Sequence, residues 1–439
     1  MLFDNILTAL EDIFLSYDSI LSLRDHREFF YINRDMRGRA SLVWDAASWN
    51  QMDDHQKAAL KNLCTDIANK LGKHALPAAR MPILGAAPFT TEQNGAVVFT
   101  CDKQIPFTVV DRMLTESSWS KRAIEDSLSP KMIVFYSIKG GVGRSTALAV
   151  AAWHLAQRGK RVLVMDMDLE SPGLSSSLLP EDRRPDYGLL DWLVEDVVEN
   201  GDDVLDRLFA SSPLADGSRG EIVVIPAHGR QCNEYIAKMG RAWMHRMKEE
   251  TRIPWPQRLR SLLYKLDEQH HPDFIFIDAR AGLDEIASAS VLDLAPRLVL
   301  LFALEGTQTW TGYSILFNHW NRIGQARNIR TSLQMVAAMI PPLEDKRPYI
   351  QRLRENSWNC FMEQLYDALP TGEEETGDAF SFDRDDVEAP HTPWIIHWHQ
   401  GLSAMKQLHT LENALDTAQI HATFPFLSNL DTFFFGDRS

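Results

Sequence analysis

Lys139-Gly140-Gly141-Val142-Gly143-Arg144-Ser145-Thr146 is the stretch on which the fold of this chain turns. It follows an apolar run, Met132-Ile133-Val134-Phe135-Tyr136, and leads into an apolar, alanine-rich segment, Ala147 to Gln157. A strand, a glycine loop and a helix N-terminus together cradle a phosphate chain. The glycines let backbone N–H groups crowd around the oxygens, and the helix dipole favours negative charge there. The common P-loop, G-x-x-x-x-G-K-[ST], needs glycine at position 138 and lysine at 144. Here Ile138 and Arg144 occupy those positions, and a lysine falls at 139 instead. The physical logic survives the rearrangement, so the loop predicts phosphate binding by Gly140, Gly141, Val142, Gly143, Arg144, Ser145 and Thr146. Arg144 keeps the charge of the usual lysine but replaces a compact ammonium with a broad fork, which is not a conservative exchange.

Outward from the loop, short apolar runs alternate with helical stretches, the pattern of βαβ units and a mostly parallel sheet. The expected strands are 133–137, 162–166, 222–226, 274–278, 298–302, 333–339 and 394–396, rich in leucine and β-branched residues as strands buried on both faces are. In such sheets chemistry collects at the carboxyl ends of the strands. Two of those ends carry carboxylates. Val164-Met165-Asp166-Met167-Asp168 would place Asp166 and Asp168 on one side if the chain stays extended. Two carboxylates beside phosphate imply a cation or a reacting water between them, and Mg²⁺ suits sparse carboxylate ligation with several waters retained. Phe274-Ile275-Phe276-Ile277-Asp278 is an apolar strand ending in a third aspartate.

Taken in order, K-G-G-V-G-R-S-T, D-M-D and F-I-F-I-D-A-R-A-G-L resemble the deviant Walker A, switch I, Walker B and switch II motifs of the ParA/MinD ATPases, in the variant branch written K-G-G-V-G-R. The resemblance covers about 131 to 425. It implies an α/β P-loop NTPase that binds ATP with Mg²⁺ and hydrolyses it. It also implies a homodimer closed around nucleotide, in which Lys139 reaches the partner's phosphates. Ser145 would ligate the metal, Asp166 and Asp278 would support its hydration shell, Asp168 would hold the attacking water, and Arg144 would contact phosphate. The glycine of the A-R-A-G-L segment, Gly282, would sense the γ-phosphate. Arg280 stands where relatives often have proline or serine; it could serve the transition state, but a salt bridge to Asp284 or Glu285 is the favoured role. Ala338-Met339-Ile340-Pro341 and Pro393-Trp394-Ile395-Ile396 fall where the family builds its adenine pocket, without an identifiable base-contacting residue. Bacterial tyrosine kinases share a similar loop but end in tyrosine clusters, whereas only Tyr349 and Tyr366 follow residue 330 here.

Residues 1–128 carry no motif and read as a small α+β module, ahead of an ATPase domain at 129–425 and a tail at 426–439. In that module Leu2, Ile6, Leu10, Ile13 and Leu15 predict an amphipathic helix, 40–44 and 96–100 strands, and 51–71 a helix. A loop is expected around Pro77, Pro82, Gly85 and Pro88, and another, acidic, over 371–390 with Glu373, Glu374 and Glu375.

The chain has 439 residues, 45% hydrophobic and 24% charged, with no apolar run near the ~20 residues that span a bilayer. No signal peptide is visible at the N-terminus. Four scattered cysteines without a C-x-x-C pair fit a reducing cytoplasm and oppose a zinc or iron–sulfur site. His397 and His399 lack a third ligand nearby and read as packing or surface residues. The aromatic C-terminus, Phe433-Phe434-Phe435, has Asp431 and Asp437 against Arg438 only, so docking on the protein body is expected in place of a membrane contact.

A net charge of −15 disfavours DNA on average, although 238–265 carries eight Lys/Arg against two acids and 322–354 seven against two. Solvated helix faces are the expected role of both stretches, with a phosphate-backbone patch as the alternative. The function implied is an ATP-driven switch acting on a partner protein through the N-terminal module, or on DNA. The alternative is a nucleotide-sensing subunit with slow or no turnover, in a signalling or phage-defence complex.

Overall fold

In the computed structural model the chain is described over residues 1–21, 30–85, 96–101, 106–112, 117–121, 123, 128, 130–368, 379–403 and 407–436. Pro88, Glu373 to Glu375, Asp437 and Arg438 lie outside the described residues. The chain divides into two compact units, Met1–Arg122 with His319–Gln325, and Ala123–Asn318 with Ala326–Ser439.

The first unit is built on strands β1 (Phe30–Arg34), β2 (Ala40–Asp45), β3 (Ile83–Gly85), β4 (Ala96–Cys101) and β5 (Phe107–Arg112), ordered β3-β2-β1-β5-β4. Pairing is antiparallel at β1–β2 and β4–β5 and parallel at β1–β5 and β2–β3. Helices Ile6–Ser16 and Asp54–Leu71 share its core, with Leu10, Phe14, Leu60, Leu63 and Ile67 against Phe30, Ile32, Leu42 and Phe107. Gly85, expected in a loop, instead ends β3, paired with Asp45 of β2. Two helix expectations also need correction. The apolar face of the first helix is Ile6, Ala9, Leu10, Ile13 and Phe14; Leu2 is exposed because the helix starts only at Ile6, and Leu15 because it lies off that face. The expected 51–71 helix begins at Asp54, where Asp53 and Gln56 form a reciprocal capping box that stops the preceding turn from running on. Arg34 and Asp111, both nearly buried, close a bidentate ion pair between adjacent strands β1 and β5, with Arg34 Nε 2.8 Å from Asp111 Oδ1.

The second unit holds the remaining strands: β6 (Lys131–Ser137), β7 (Arg161–Asp166), β8 (Ala210–Ser211), β9 (Glu221–Ile225), β10 (Arg246–Lys248), β11 (Thr251–Ile253), β12 (Phe274–Asp278), β13 (Leu298–Ala303), β14 (Leu333–Ile340) and β15 (Trp394–His397). Eight form one sheet in the order β15-β14-β13-β6-β12-β7-β9-β8, parallel throughout except for the β8 edge. The mostly parallel α/β P-loop NTPase fold is thus present. All seven strands read from the sequence form, within a residue or two of their expected ends. β10 and β11 form a separate hairpin.

The central strands β6 and β12 are covered by helix Arg144–Gln157, whose Ala147, Leu148, Ala151, Ala152 and Leu155 join Phe135, Phe274, Phe276 and Phe302 in one core. Small residues let this helix lie close to the sheet, which aims its N-terminus at the strand ends. Helix Phe426–Phe435 buries Phe426, Leu427 and Leu430 in the same core, so the aromatic C-terminus docks on the protein body as expected. Among the described residues no helix is long and apolar enough to cross a membrane.

Candidate functional site

Parallel pairing fixes the site before any side chain is considered. β12 runs between β6 and β7 in a register that sets Asp278 beside Phe135 on one side and Asp166 on the other. The strand ends are therefore level, and the loop after β6 opens directly above the aspartates. That loop turns through Gly141 (φ +73°) and Gly143 (φ +78°), conformations in which an L side chain is strained, and Gly143 then caps helix Arg144–Gln157. A Cβ added at Gly140 or Gly141 would meet nothing within 4 Å, so their backbone faces open space, as a phosphate cradle requires.

The departure at 138 has a structural counterpart. Ile138 lies against Gly312 in helix Thr307–Arg322, where a Cβ would come within 2.4 Å of Ile138 Cγ2. On the other side of the loop, Met339 near the end of β14 adopts φ +46° and sets its Cγ 3.2 Å from where a Gly143 Cβ would stand. A non-glycine residue in that conformation stores strain of about 1–3 kcal/mol and marks a segment held in place by its surroundings.

Four of the residues singled out in the sequence meet beneath the loop around Asp278, which is only 1% exposed. Ser145 Oγ donates to Asp278 Oδ2 at 2.6 Å, and Arg144 Nε donates to Asp278 Oδ1 at 2.7 Å. The same guanidinium donates from Nη2 to Asp168 Oδ2 at 3.2 Å and from Nη1 to Ser137 Oγ at 3.1 Å. Arg144, 8% exposed, is thus turned inward among carboxylates, while Lys139 is exposed.

Asp166 is fully buried and accepts from Ser175 Oγ at 2.6 Å, Ser175 N–H at 3.1 Å and Asp168 N–H at 3.2 Å. Burial pushes its carboxyl up to about 7, reinforced by the Asp278 charge and opposed by the Ser175 hydrogen bonds. Burial also raises Asp168, with Arg144 pulling it back down. Asp166 is thus a buried carboxylate and not an exposed loop acid.

Arg280 pairs with Glu170 and lies 3.8 Å from Asp284, the structural role favoured from the sequence. The Gly282 N–H donates to the Ser137 carbonyl at 2.9 Å, and its own carbonyl accepts from the Tyr136 hydroxyl at 2.8 Å. Sequence reasoning missed Ser137, Ser175 and Tyr235, and it named Met339 only as part of the segment Ala338 to Pro341. Tyr235 opens helix Tyr235–Ala242 and donates its hydroxyl to the Leu169 carbonyl at 2.6 Å, one residue beyond Asp168. Ser137 could have been found as the last strand residue before the loop; nothing local marks Ser175 or Tyr235.

The donor set suits a hard divalent cation, since it offers a hydroxyl and carboxylate oxygens and no thiolate or imidazole. Among the described residues, no three His, Cys, Asp or Glu groups stand together closely enough to hold a metal ion alone. Phosphate oxygens and water would have to complete the shell, as is usual for Mg²⁺.

Several side chains of the basic stretches form ion pairs within the chain. Lys238 pairs with Asp191, Arg246 and Arg258 with Asp196, and Lys265 with Asp202; Arg330 pairs with Asp367, Arg347 with Asp345 and Arg352 with Glu305.

A parallel sheet with a glycine loop at the end of a central strand and level aspartates beside it defines a P-loop nucleotide-binding protein. The chain belongs to the CobQ/CobB/MinD/ParA nucleotide-binding domain family, whose model matches residues 133–423. Comparison with curated proteins returned no match. Among solved structures, the cell division ATPase MinD of Pyrococcus furiosus is 24% identical, with 47% of this chain and 70% of that one covered and a TM-score of 0.33. A ParA family ATPase from Chlorobium tepidum is 14% identical over 67% of this chain and 96% of that one, with a TM-score of 0.42. MinD of Pyrococcus horikoshii, complexed with Mg-ADP, is 18% identical over 71% of this chain and all of that one (100%), with a TM-score of 0.40.

Proposed function

We propose that this protein is an ATP-binding and ATP-hydrolysing switch that dimerises around nucleotide and thereby controls a partner protein or assembly. The observation that carries the reading is the convergence of Ser145, Asp166, Asp168 and Asp278 beneath an open glycine loop. Backbone N–H groups of Gly140 to Thr146 hold the phosphates at the helix N-terminus. Ser145, with Asp166 and Asp278 behind it, holds Mg²⁺, which when bound neutralises charge on the phosphate oxygens. Asp168 orients the attacking water. Lys139, exposed at the loop, is free to reach a second protomer's phosphates. Loss of the γ-phosphate then releases the Asp168 and Gly282 segments, and the dimer opens. The ion pairs that occupy the basic stretches favour a protein partner, met through the N-terminal unit, over DNA. Four scattered cysteines without a C-x-x-C pair suit work in the cytoplasm.

A second reading has its own observation. The Arg144 guanidinium is committed to Asp278, Asp168 and Ser137, which favours a nucleotide sensor with slow turnover. Light scattering with ATP·Mg²⁺ and with ADP, on the wild type and on Lys139→Ala, tests the switch. A dimer that forms with ATP and is lost in the variant supports it; a mass indifferent to nucleotide overturns dimerisation. Phosphate release by the same samples separates switch from sensor.

A further inference from the structure

The carboxylates that would support the metal already have partners. Both oxygens of Asp278 are engaged, Oδ1 by Arg144 Nε at 2.7 Å and Oδ2 by the Ser145 hydroxyl at 2.6 Å. Asp168 Oδ2 accepts from the other end of the same guanidinium at 3.2 Å. Asp166 Oδ2 accepts twice from Ser175, and its Oδ1 accepts from the Asp168 N–H. The fork spans two aspartates and a serine that belong to three different strand ends. A lysine ammonium, a single point on a flexible stem, cannot bridge them in this way.

We infer that Arg144 is a built-in counter-ion that keeps a divalent cation out of the site until a nucleotide phosphate draws the guanidinium away from Asp278 and Asp168. Two physical facts support the order of events. A buried cation next to the same carboxylates repels an incoming dication through a poorly screened medium. The planar fork also binds phosphate oxygens in the two-pronged manner in which it now holds carboxylates, so phosphate is a fair exchange partner. Arrival of the phosphates and release of Asp278 and Asp168 become one event. The inference rests on the metal role given above to Ser145, Asp166 and Asp278.

The probe is Mn²⁺ alone, titrated into the full chain and followed by the electron paramagnetic resonance signal of the free ion. The wild type, Arg144→Met, Arg144→Lys and the double variant R144M/D278N are compared without nucleotide, and the wild type again with ADP. A thermal melt of each variant establishes that it is folded. Arg144→Met is expected to bind Mn²⁺ at least about tenfold more tightly than the wild type, with Arg144→Lys between them. R144M/D278N is expected to lose that gain, and ADP to confer Mn²⁺ binding on the wild type. Equal Mn²⁺ affinity of wild type and Arg144→Met without nucleotide overturns the inference while leaving the metal role standing. Absence of Mn²⁺ binding in every sample, ADP included, overturns both.

Discussion

Two buried arginines divide the molecule's electrostatics between structure and chemistry. In the first unit Arg34 meets a single carboxylate, Asp111, on the neighbouring strand, and the pair balances in charge and in hydrogen-bonding geometry. In the second unit Arg144 faces Asp278 and Asp168 with Asp166 directly behind, so one cation stands against three carboxylates. A balanced pair needs nothing further. An unbalanced one holds negative charge that a proton on Asp166 or an added cation can neutralise, and the surplus lies where the glycine loop opens. Buried charge by itself therefore does not mark a functional site; buried charge left over after pairing does.

The comparison breaks most visibly in turnover. Asp168→Ala is expected to lower phosphate release by about 10²–10⁴-fold while leaving nucleotide affinity within a few-fold, measured by phosphate assay and calorimetry. Loss of binding instead would show that Asp168 belongs to the cradle. Stability sharpens the contrast next. Arg34→Ala and Arg144→Met should each cost about 3–5 kcal/mol, because each strands a buried carboxylate. Millimolar Mn²⁺ should restore the melting temperature of Arg144→Met alone, since only there can a dication replace the lost charge.

A smaller effect is expected at Tyr235→Phe. Removing the bond to the Leu169 carbonyl should cost about 1 kcal/mol, and it should speed amide hydrogen exchange over 167–171 without altering the first unit.

The smallest concerns pH. His391 is buried, with Nδ1 2.6 Å from the Tyr366 hydroxyl and Nε2 3.1 Å from the Arg384 carbonyl, and burial holds its pKa below the ordinary 6.5. The neutral ring's contribution is then complete above pH 6.5 and declines as pH falls toward the lowered folded value, because the unfolded chain takes the proton first. Thermal melts between pH 7.5 and 5 should show this slope, shared with His154, His270, His319 and His397, and His391→Gln should reduce it by one histidine's share.

Much of the second unit was legible in the residues themselves. Short, β-branched and aromatic apolar runs such as Phe274 to Ile277 suit strands covered on both faces, and Gly140 to Gly143 after such a run leaves few alternatives to a phosphate loop. The first unit was less legible. β1 and β5, which form the middle of its sheet, were missed because Phe30–Arg34 and Phe107–Arg112 mix apolar with charged residues; Arg34 and Asp111 read as surface positions until they are seen to neutralise each other.

The sequence by itself determined the parallel α/β architecture, the position of the loop and which strands end in aspartate. Each of these is written in local periodicity and in glycine's access to positive φ, which a few neighbouring residues suffice to encode. Only the tertiary structure decided that Arg144 turns inward to Asp278, 134 residues away, that Ser175 holds Asp166, and that Gly312 makes room for Ile138. Those contacts depend on which strands become neighbours and in what register. Both are settled by packing the whole sheet, and no short stretch of chain carries that information.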